Sequence, residues 1–538
     1  MKKNKIIILM IAIAGFMTSC GKDYLTIYPT GDVVAGAPAT ADVIDKNVTG
    51  AYQLMYFDDY ANYQWMPVNM FFDVCTDDIF KGGGGAGDQP WMLPVSEFRS
   101  TPTLGANGWW SIFYAGLKRC NGALDAMDNA VGVPDATLAR WRAEILTLRA
   151  YYVQWLWKAY GNIPYFDKAW TAEPFLAKQY SFDELYPIII ADLDAAIATP
   201  EFPLTITKSE ETGRVTKAMA MMTKARVVMY KKDQSKYAEV LADMKTIINS
   251  GAFGLVTTAT QPNFTGNGAP STTNPFEWIF LRNGEFCKES IFEVNRTPNG
   301  RSWGNAWAGY GAYTPRFIGA RNDLVVPDPY AAGWGFCPVN PTTFDALFSE
   351  VGDYRKDASV IQFPLVNAKG EAVTQYQNPA GLYLKKYVAR KGYNEGTQGD
   401  RDLNYENNTR IYRIAEAYLN AAELEVVAGG GTAAAQPYLD AIRDRAFGDT
   451  NHRIPATLSN IKLERHREFF GEGLRFWDLV RWGSDENDRP ISAVLTVTDL
   501  NIPISRVWGD NKKFLPIPQG EIDKTAGTEF ELVQNPGY

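Results

Sequence analysis

Histidine is almost missing from this chain. Among 538 residues there are two, His452 and His466. A three-histidine metal centre is therefore excluded, and a histidine-dependent triad would have to use one of these two. Cysteine is scarce as well. Beyond Cys20 there are only Cys75, Cys120, Cys287 and Cys337, with no CxxC pair. Four cysteines in an exported chain permit two disulfides in three connectivities, but their wide spacing favours free buried thiols. Positive charge is in deficit, with 53 Lys plus Arg against 61 Asp plus Glu. Nucleic-acid phosphates need a basic footprint, so no nucleic acid is expected as a partner. HExxH, EF-hand, GxSxG and GK[ST] patterns are all absent. No cofactor, no metal and no catalytic residue is expected from them. After the first twenty residues no apolar run approaches the 18 or so residues that a membrane helix requires.

What is present begins with the leader. Lys2, Lys3 and Lys5 form a positive region, and Ile6 to Phe16 is an apolar run of 11 residues. That run is too short to span a bilayer and suits a secretory signal. It ends in Met17-Thr18-Ser19-Cys20, small residues before a cysteine, which looks like a bacterial lipoprotein cleavage box. Cys20 is the expected lipidation site, and several acyl chains on one residue anchor firmly. Once the three leader lysines are removed, 50 basic residues face 61 acidic ones.

Much of the remainder reads as amphipathic helix. Leu138, Trp141, Ile145, Leu148, Tyr152, Trp155 and Ala159 recur at steps of three and four. Gly161-Asn162-Ile163-Pro164 should stop that helix. Similar stripes run over 109–127 and over 218–229, the latter after a possible Thr216 cap. Others run over 411–422, 432–447 and 459–470, with weaker cases at 41–57, 182–198 and 236–249. Alanines at tight-packing positions suggest stacked helix hairpins, similar to tetratricopeptide repeats but without a clean 34-residue consensus.

The expected organisation is a signal peptide over 1–19 and a lipidated tether over 20–39. A first helical part follows at 40–251, with a loop excursion at 58–107. Residues 252–400, rich in Gly, Asn, Pro, Thr and aromatics, form an irregular ligand-binding region, and Glu289 to Val294 is a candidate strand within it. A second helical part and a C-terminal segment fill 401–538. The fold class is mainly α: a tetratricopeptide-like helix-pair scaffold carrying a large irregular region with short strands.

Lys81 to Gly87 reads KGGGGAG and formally matches GxGxxG. Asp88-Gln89-Pro90 and Pro94 follow where a helix N-terminus is required, so a flexible loop is expected there instead of a phosphate cradle. Asp73, Asp77 and Asp78 cluster beside it. They would cap a helix or line a ligand pocket as acceptors; a hydrolytic pair is the less favoured reading.

The segment Asn299 to Tyr313 carries four large aromatics, Trp303, Trp307, Tyr310 and Tyr313, alternating with Gly, Ala, Ser and Asn. Neither a strand core nor a helix face has this pattern. Small neighbours leave rings accessible, and flat rings beside amide and charged groups suit the apolar faces and polar rims of sugars. The candidate binding residues are Trp303, Trp307, Tyr310, Trp91, Asp77, Asn305 and Arg301. Trp334 is a further loop tryptophan of the same kind.

The C-terminal third holds the most specific motifs. They are Arg410 to Glu423 (RIYRIAEAYLNAAE), Glu464 to Trp482 (ERHREFFGEGLRFWDLVRW), Phe514 to Gln519 (FLPIPQ) and the ending Gln534-Asn535-Pro536-Gly537-Tyr538. Together with Gly213 to Ala218 and the leader, they resemble the SusD/RagB family of Bacteroidota outer-membrane lipoproteins, from Cys20 to Tyr538. One departure is His466, where the family more often has arginine. The resemblance implies a non-catalytic nutrient-binding protein, lipid-anchored in the outer membrane and facing the cell exterior. It implies a SusC-like TonB-dependent transporter as partner and an oligosaccharide or polysaccharide as ligand. A peptide-binding RagB-like role is the alternative, and a glycoside hydrolase using Asp77 or Asp78 the third reading. Glu464, Arg467, Glu468, Arg475 and Asp478 read as surface or partly buried ion pairs.

Overall fold

The computed structural model describes residues 36–57, 60–61, 64–65, 67, 70, 72–170, 176–257, 274–305, 309–499 and 501–538. Cys20, the leader and most of the expected tether lie outside the described residues. Among the described residues, helices of eight or more residues are α1 (Ala41–Tyr52), α2 (Asn107–Asp128), α3 (Asp135–Tyr160), α4 (Phe182–Ala198), α5 (Lys217–Lys231), α6 (Tyr237–Asn249), α7 (Ile414–Val427), α8 (Gly431–Phe447), α9 (Leu458–Glu468) and α10 (Arg475–Trp482).

The local chemistry accounts for their ends. Ser181 and Glu184 form a reciprocal capping box at the start of α4. Thr216 caps α5, its hydroxyl accepting from the Met219 N–H at 3.3 Å. Gly161 ends α3 at φ 69°, a conformation that disfavours any residue with a Cβ.

Consecutive helices pack as hairpins: α2 on α3, α3 on α4, α4 on α5, α5 on α6 and α7 on α8. In α2, Gly116 lies so close to Tyr152 of α3 that a Cβ there would stand 2.5 Å from the ring. Phe113 and Trp155 stack across the same interface at 6.1 Å. Helix α7 serves two cores. Ala415, Leu419 and Ala422 pack with Leu439 of α8 and Ile461 of α9, while Ala417, Ala421 and Leu424 belong to the main core with Met244 of α6. Alanine on both faces lets neighbouring helices approach closely, as the stripe pattern implied. The fold is the mainly helical, tetratricopeptide-like scaffold expected from the sequence.

One stretch differs. The stripe over 411–422 was expected to be helical from its start, yet 411–413 belong to the strand Thr409–Arg413, paired antiparallel with Ser290–Val294. All five of its residues are buried. Two-sided burial favours Thr, Ile and Tyr in extended backbone, and Ile411 happens to fall in phase with Ile414 of α7. This pair ties the irregular middle of the chain to the C-terminal helices.

The charges of the C-terminal motifs are a second correction. Glu464, Arg467, Glu468, Arg475 and Asp478 are all buried, not at the surface. Arg413 Nη1 donates to Glu468 at 2.9 Å and to Glu289 at 3.1 Å, and Nη2 donates to Glu472 at 2.8 Å. Arg355 joins Asp353 at 2.7 Å and Glu464 at 2.6 Å. In α9 and α10, Arg465 holds Asp478 at 2.7 Å and Arg481 holds the other oxygen of Asp478 at 2.8 Å. Buried charges persist only when paired and hydrogen-bonded, and here each guanidinium has several carboxylates. Burial alone would raise the Glu468 carboxyl, but Arg445, Arg413 and Arg355 hold it far below the usual range.

Candidate functional site

The aromatic-rich segment emerges from strand 290–294 and is pinned from below. Thr297 N–H donates to the Tyr310 carbonyl at 3.2 Å, and Tyr310 N–H returns to the Asn299 carbonyl at 3.1 Å. Between them Gly300 (φ 106°) and Gly309 (φ 87°) cross with backbone in direct contact, which leaves no room for a Cβ at either. Asn404 clamps the turn: its Oδ1 accepts from Arg301 N–H at 3.0 Å and its Nδ2 donates to the Arg301 carbonyl at 2.8 Å. Further along, Ala312 exchanges both backbone hydrogen bonds with Tyr405 at 2.8 Å.

This fixed loop presents two rings to solvent. Trp303 is 55% exposed and Tyr310 46%. Trp303 N–H donates to the Asp400 carboxylate at 2.8 Å, which fixes the backbone that carries the indole. The indole lies 5.8 Å from that of Trp334, tilted by 39°. Trp334 in turn stacks 5.8 Å from the fully buried Tyr313 and meets Phe317 edge-on at 6.3 Å. A continuous column of rings thus leads from the core to the exposed Trp303 face. On the other side of the loop Tyr310 meets Tyr56 edge-on at 4.8 Å. Supported rings of this kind offer apolar area at little entropic cost.

The expected site residues are only partly brought together. Trp303, Tyr310 and Asn305 share the loop surface, and Asn305 is exposed beside Ser302, to whose carbonyl it donates at 2.9 Å. Trp307 lies outside the described residues. Arg301, expected to contact ligand, is fully buried; its guanidinium donates to the Tyr56 carbonyl and sits 5.8 Å over the Phe57 ring. It anchors the loop from beneath. Trp91, expected as a further platform, is 7% exposed and belongs to the main core, with its indole N–H held by Gln89 at 2.9 Å.

Asp77 is likewise displaced from the expected role. It is 8% exposed and bound bidentately by Arg475 of α10, at 3.2 and 3.1 Å. Burial would raise its carboxyl, and the Arg475 guanidinium outweighs this and holds it below the usual range. Asp78 accepts from His466 at 2.8 Å, and the other nitrogen of that ring meets Glu486 at 3.1 Å. Asp73 caps the Gly473 N–H at 2.8 Å. These acids lock the 72–78 segment to the C-terminal helices, with Asp77 and Asp78 engaged by Arg475 and His466.

Two contributors were understated by the sequence. Trp334 sits between Gly333 and Gly335, the same ring-among-small-residues signal as Trp303. Tyr56 follows α1, and its proximity to Tyr310 is a product of tertiary folding that no local pattern records. Among the described residues no group of three or more His, Cys, Asp or Glu could hold a metal ion. The four cysteines among the described residues are free thiols; Cys287 is half-buried and the other three are buried.

A helix-hairpin scaffold presenting a preorganised patch of solvent-facing rings defines a binding protein. The pattern of the SusD family matches residues 365–538. The fold matches surface glycan-binding protein A from Bacteroides fluxus with a TM-score of 0.82, at 43% identity, covering 93% of this chain and 100% of that one. It matches surface glycan-binding protein A from Bacteroides thetaiotaomicron, in complex with laminarihexaose, with a TM-score of 0.80 at 34% identity, covering 92% and 100%. A laminarin-binding SusD-like protein matches with a TM-score of 0.74 at 27% identity, covering 93% and 100%. The chain belongs to the SusD family, whose members are non-catalytic glycan-binding proteins.

Proposed function

We propose that this chain captures a neutral, laminarin-type glucan at the cell surface, with Trp303 as the principal platform. The observation that carries the reading is a half-exposed indole backed by Trp334 on a loop that hydrogen bonds hold in place. Tyr310 and Asn305 supply a second ring and an amide, and Trp307 of the same segment is an additional platform. The laminarin-type ligand is supported by relatives that share 34% and 27% of their sequence with this chain.

Charge favours a neutral sugar over a uronic or sulfated one. Around the rings Asp88, Asp323, Asp400 and Asp402 accompany Arg316, Arg321 and Arg401; Arg316 pairs with Asp402 at 3.3 Å, and Arg401 pairs with a further acid, Glu395. A rim with more acid than base repels an anionic chain.

The rest of the role follows from the leader and the family. Cys20 anchors the chain by its lipids to the outer leaflet of the outer membrane, and the protein delivers glycan to a SusC-like TonB-dependent transporter. Among the described residues no helix is long and apolar enough to cross a membrane. Retention of the full chain in native gels cast with laminarin, alginate or a mixed peptide pool tests the ligand class. Retardation by laminarin alone is expected; retardation by peptides or alginate and not by laminarin overturns it. Cys20→Ala should release the chain from membranes, and persistent membrane partition of that variant in cells lacking the transporter would sink the anchor.

A further inference from the structure

The first half of the glycine run, Gly82 to Gly84, is tied down by hydrogen bonds, which the expectation of a flexible loop did not include. Gly82 N–H donates to Gln377 at 3.0 Å, Gly83 N–H to the Gly335 carbonyl at 2.8 Å, and Gly84 N–H to Asp88 at 2.8 Å. Lys81 Nζ donates across the loop to the Gly85 carbonyl at 2.6 Å. A Cβ at Gly83 would stand 2.6 Å from the Phe336 ring. Phe336 covers the buried Gly83, and Trp334 lies two residues before it on the same stretch, so the exposed part of the loop, from Gly84 on, lies near the tryptophan pair.

Arg321 bridges the two. Its Nη1 donates to the Trp334 carbonyl at 3.4 Å, and the same atom would stand 3.0 Å from a Cβ on Gly84. Its one carboxylate partner among the described residues, Asp323, is 3.8 Å away, beyond hydrogen-bond distance. The guanidinium is half-exposed, and its Nη2 has no hydrogen-bond partner among the described residues. A planar fork with donors to spare, beside the glycine loop and next to the tilted indole pair, suits pairs of sugar hydroxyls.

We infer that Arg321, Asp88 and the glycine loop form an extension of the aromatic site, which takes the sugar units of a neutral glycan beyond those that Trp303 and Trp334 cover. The inference rests on the glycan-binding reading above. Any side chain at Gly83 or Gly84 would collide with Phe336 or crowd Arg321, so glycine there keeps Arg321 in its place beside the loop.

Chain length separates the two claims. Calorimetry of the full chain with laminaritriose and with laminarihexaose is compared for the parent, Arg321→Ala, Arg321→Lys and Trp303→Ala, each with a thermal melt. Arg321→Ala should lower hexaose affinity about tenfold and leave triose affinity at the parental value. Arg321→Lys should recover part of the loss, since it keeps a donor but not the fork. Equal losses for both sugars would mean that Arg321 merely supports Trp334, and parental hexaose affinity in Arg321→Ala would mean that it makes no contact; either overturns the extension. Trp303→Ala should weaken both sugars. If it weakens neither, or if the parent binds neither sugar, the glycan-binding reading falls, and the extension with it.

Discussion

The buried charge network of the C-terminal motifs and the exposed ring cluster of the 299–313 loop use their side chains in opposite ways. In the first, residues that normally face water are enclosed: Glu468 meets Arg413, Arg355 and Arg445, and none of the four has appreciable exposure. In the second, residues that normally fill cores are left outside, with Trp303 and Tyr310 half-exposed. Each inversion needs a reason. The network is sustained by mutual neutralisation and fixes how the middle of the chain docks on the helices. The rings are sustained by a clamped backbone and stand ready for a ligand. Specific sequence motifs here mark architecture, whereas the proposed ligand site sits on a loop with hardly any motif at all.

The sharpest way to break that comparison is to open the network. Glu468→Ala removes the carboxylate that three buried arginines share, leaving Arg445 with Glu289 alone, and should cost about 3 kcal/mol of stability. Glycan affinity of the folded fraction should stay parental. Chemical denaturation beside calorimetry checks both, and a selective loss of affinity would blur the division between the two regions.

Next comes pH. Burial and Arg475 press His466 down, but Asp78 and Glu486 win and hold it up at about 10, against an ordinary 6.5. A group raised in the folded state stabilises fully below its unfolded value and loses that contribution as pH rises through the folded one. His466→Gln should therefore be less stable than the parent by about 3 kcal/mol at pH 6. The gap should shrink steadily from pH 7 towards pH 10.5. A gap that stays constant in urea melts across this range would mean that the charged ring is not what holds Asp78 and Glu486.

Trp334 stands at the seam between the two regions, half-buried under Trp303. Trp334→Ala should cost about 1–2 kcal/mol in both stability and glycan binding. A loss confined to stability would place it wholly with the core. Asn305→Ala, at an exposed amide, should shift binding by less than about 1 kcal/mol and leave the melt unchanged. A larger effect would move the centre of the site towards the loop tip.

Much of the scaffold was legible in the sequence. Stripes at steps of three and four located α2, α3 and α5 to within a few residues, and Gly161 and Thr216 marked ends that the structure bears out. The strand at 409–413 was hidden because its apolar residues continue the phase of α7. The exposure of Trp303 and Tyr310 was legible in the 299–313 pattern, but not the fate of its charged member. Arg301 in a Gly- and Asn-rich stretch reads as exposed, yet the Tyr56 carbonyl, 245 positions away, receives its guanidinium. Asp77 reads as a pocket acid, yet Arg475, 398 positions away, claims both oxygens. Trp91 looked like a loop ring and is a core ring. Long-range partners of this kind decide burial, and local composition carries no trace of them.

The central claim is that ligand binding depends on the exposed Trp303 face and not on the core. Titration calorimetry of Trp303→Ala with laminarihexaose, beside a thermal melt of the same preparation, tests it most directly. The expected loss is about 2 kcal/mol or more, roughly thirtyfold in affinity, with the melting temperature of the parent. Parental affinity at parental melting temperature would contradict it.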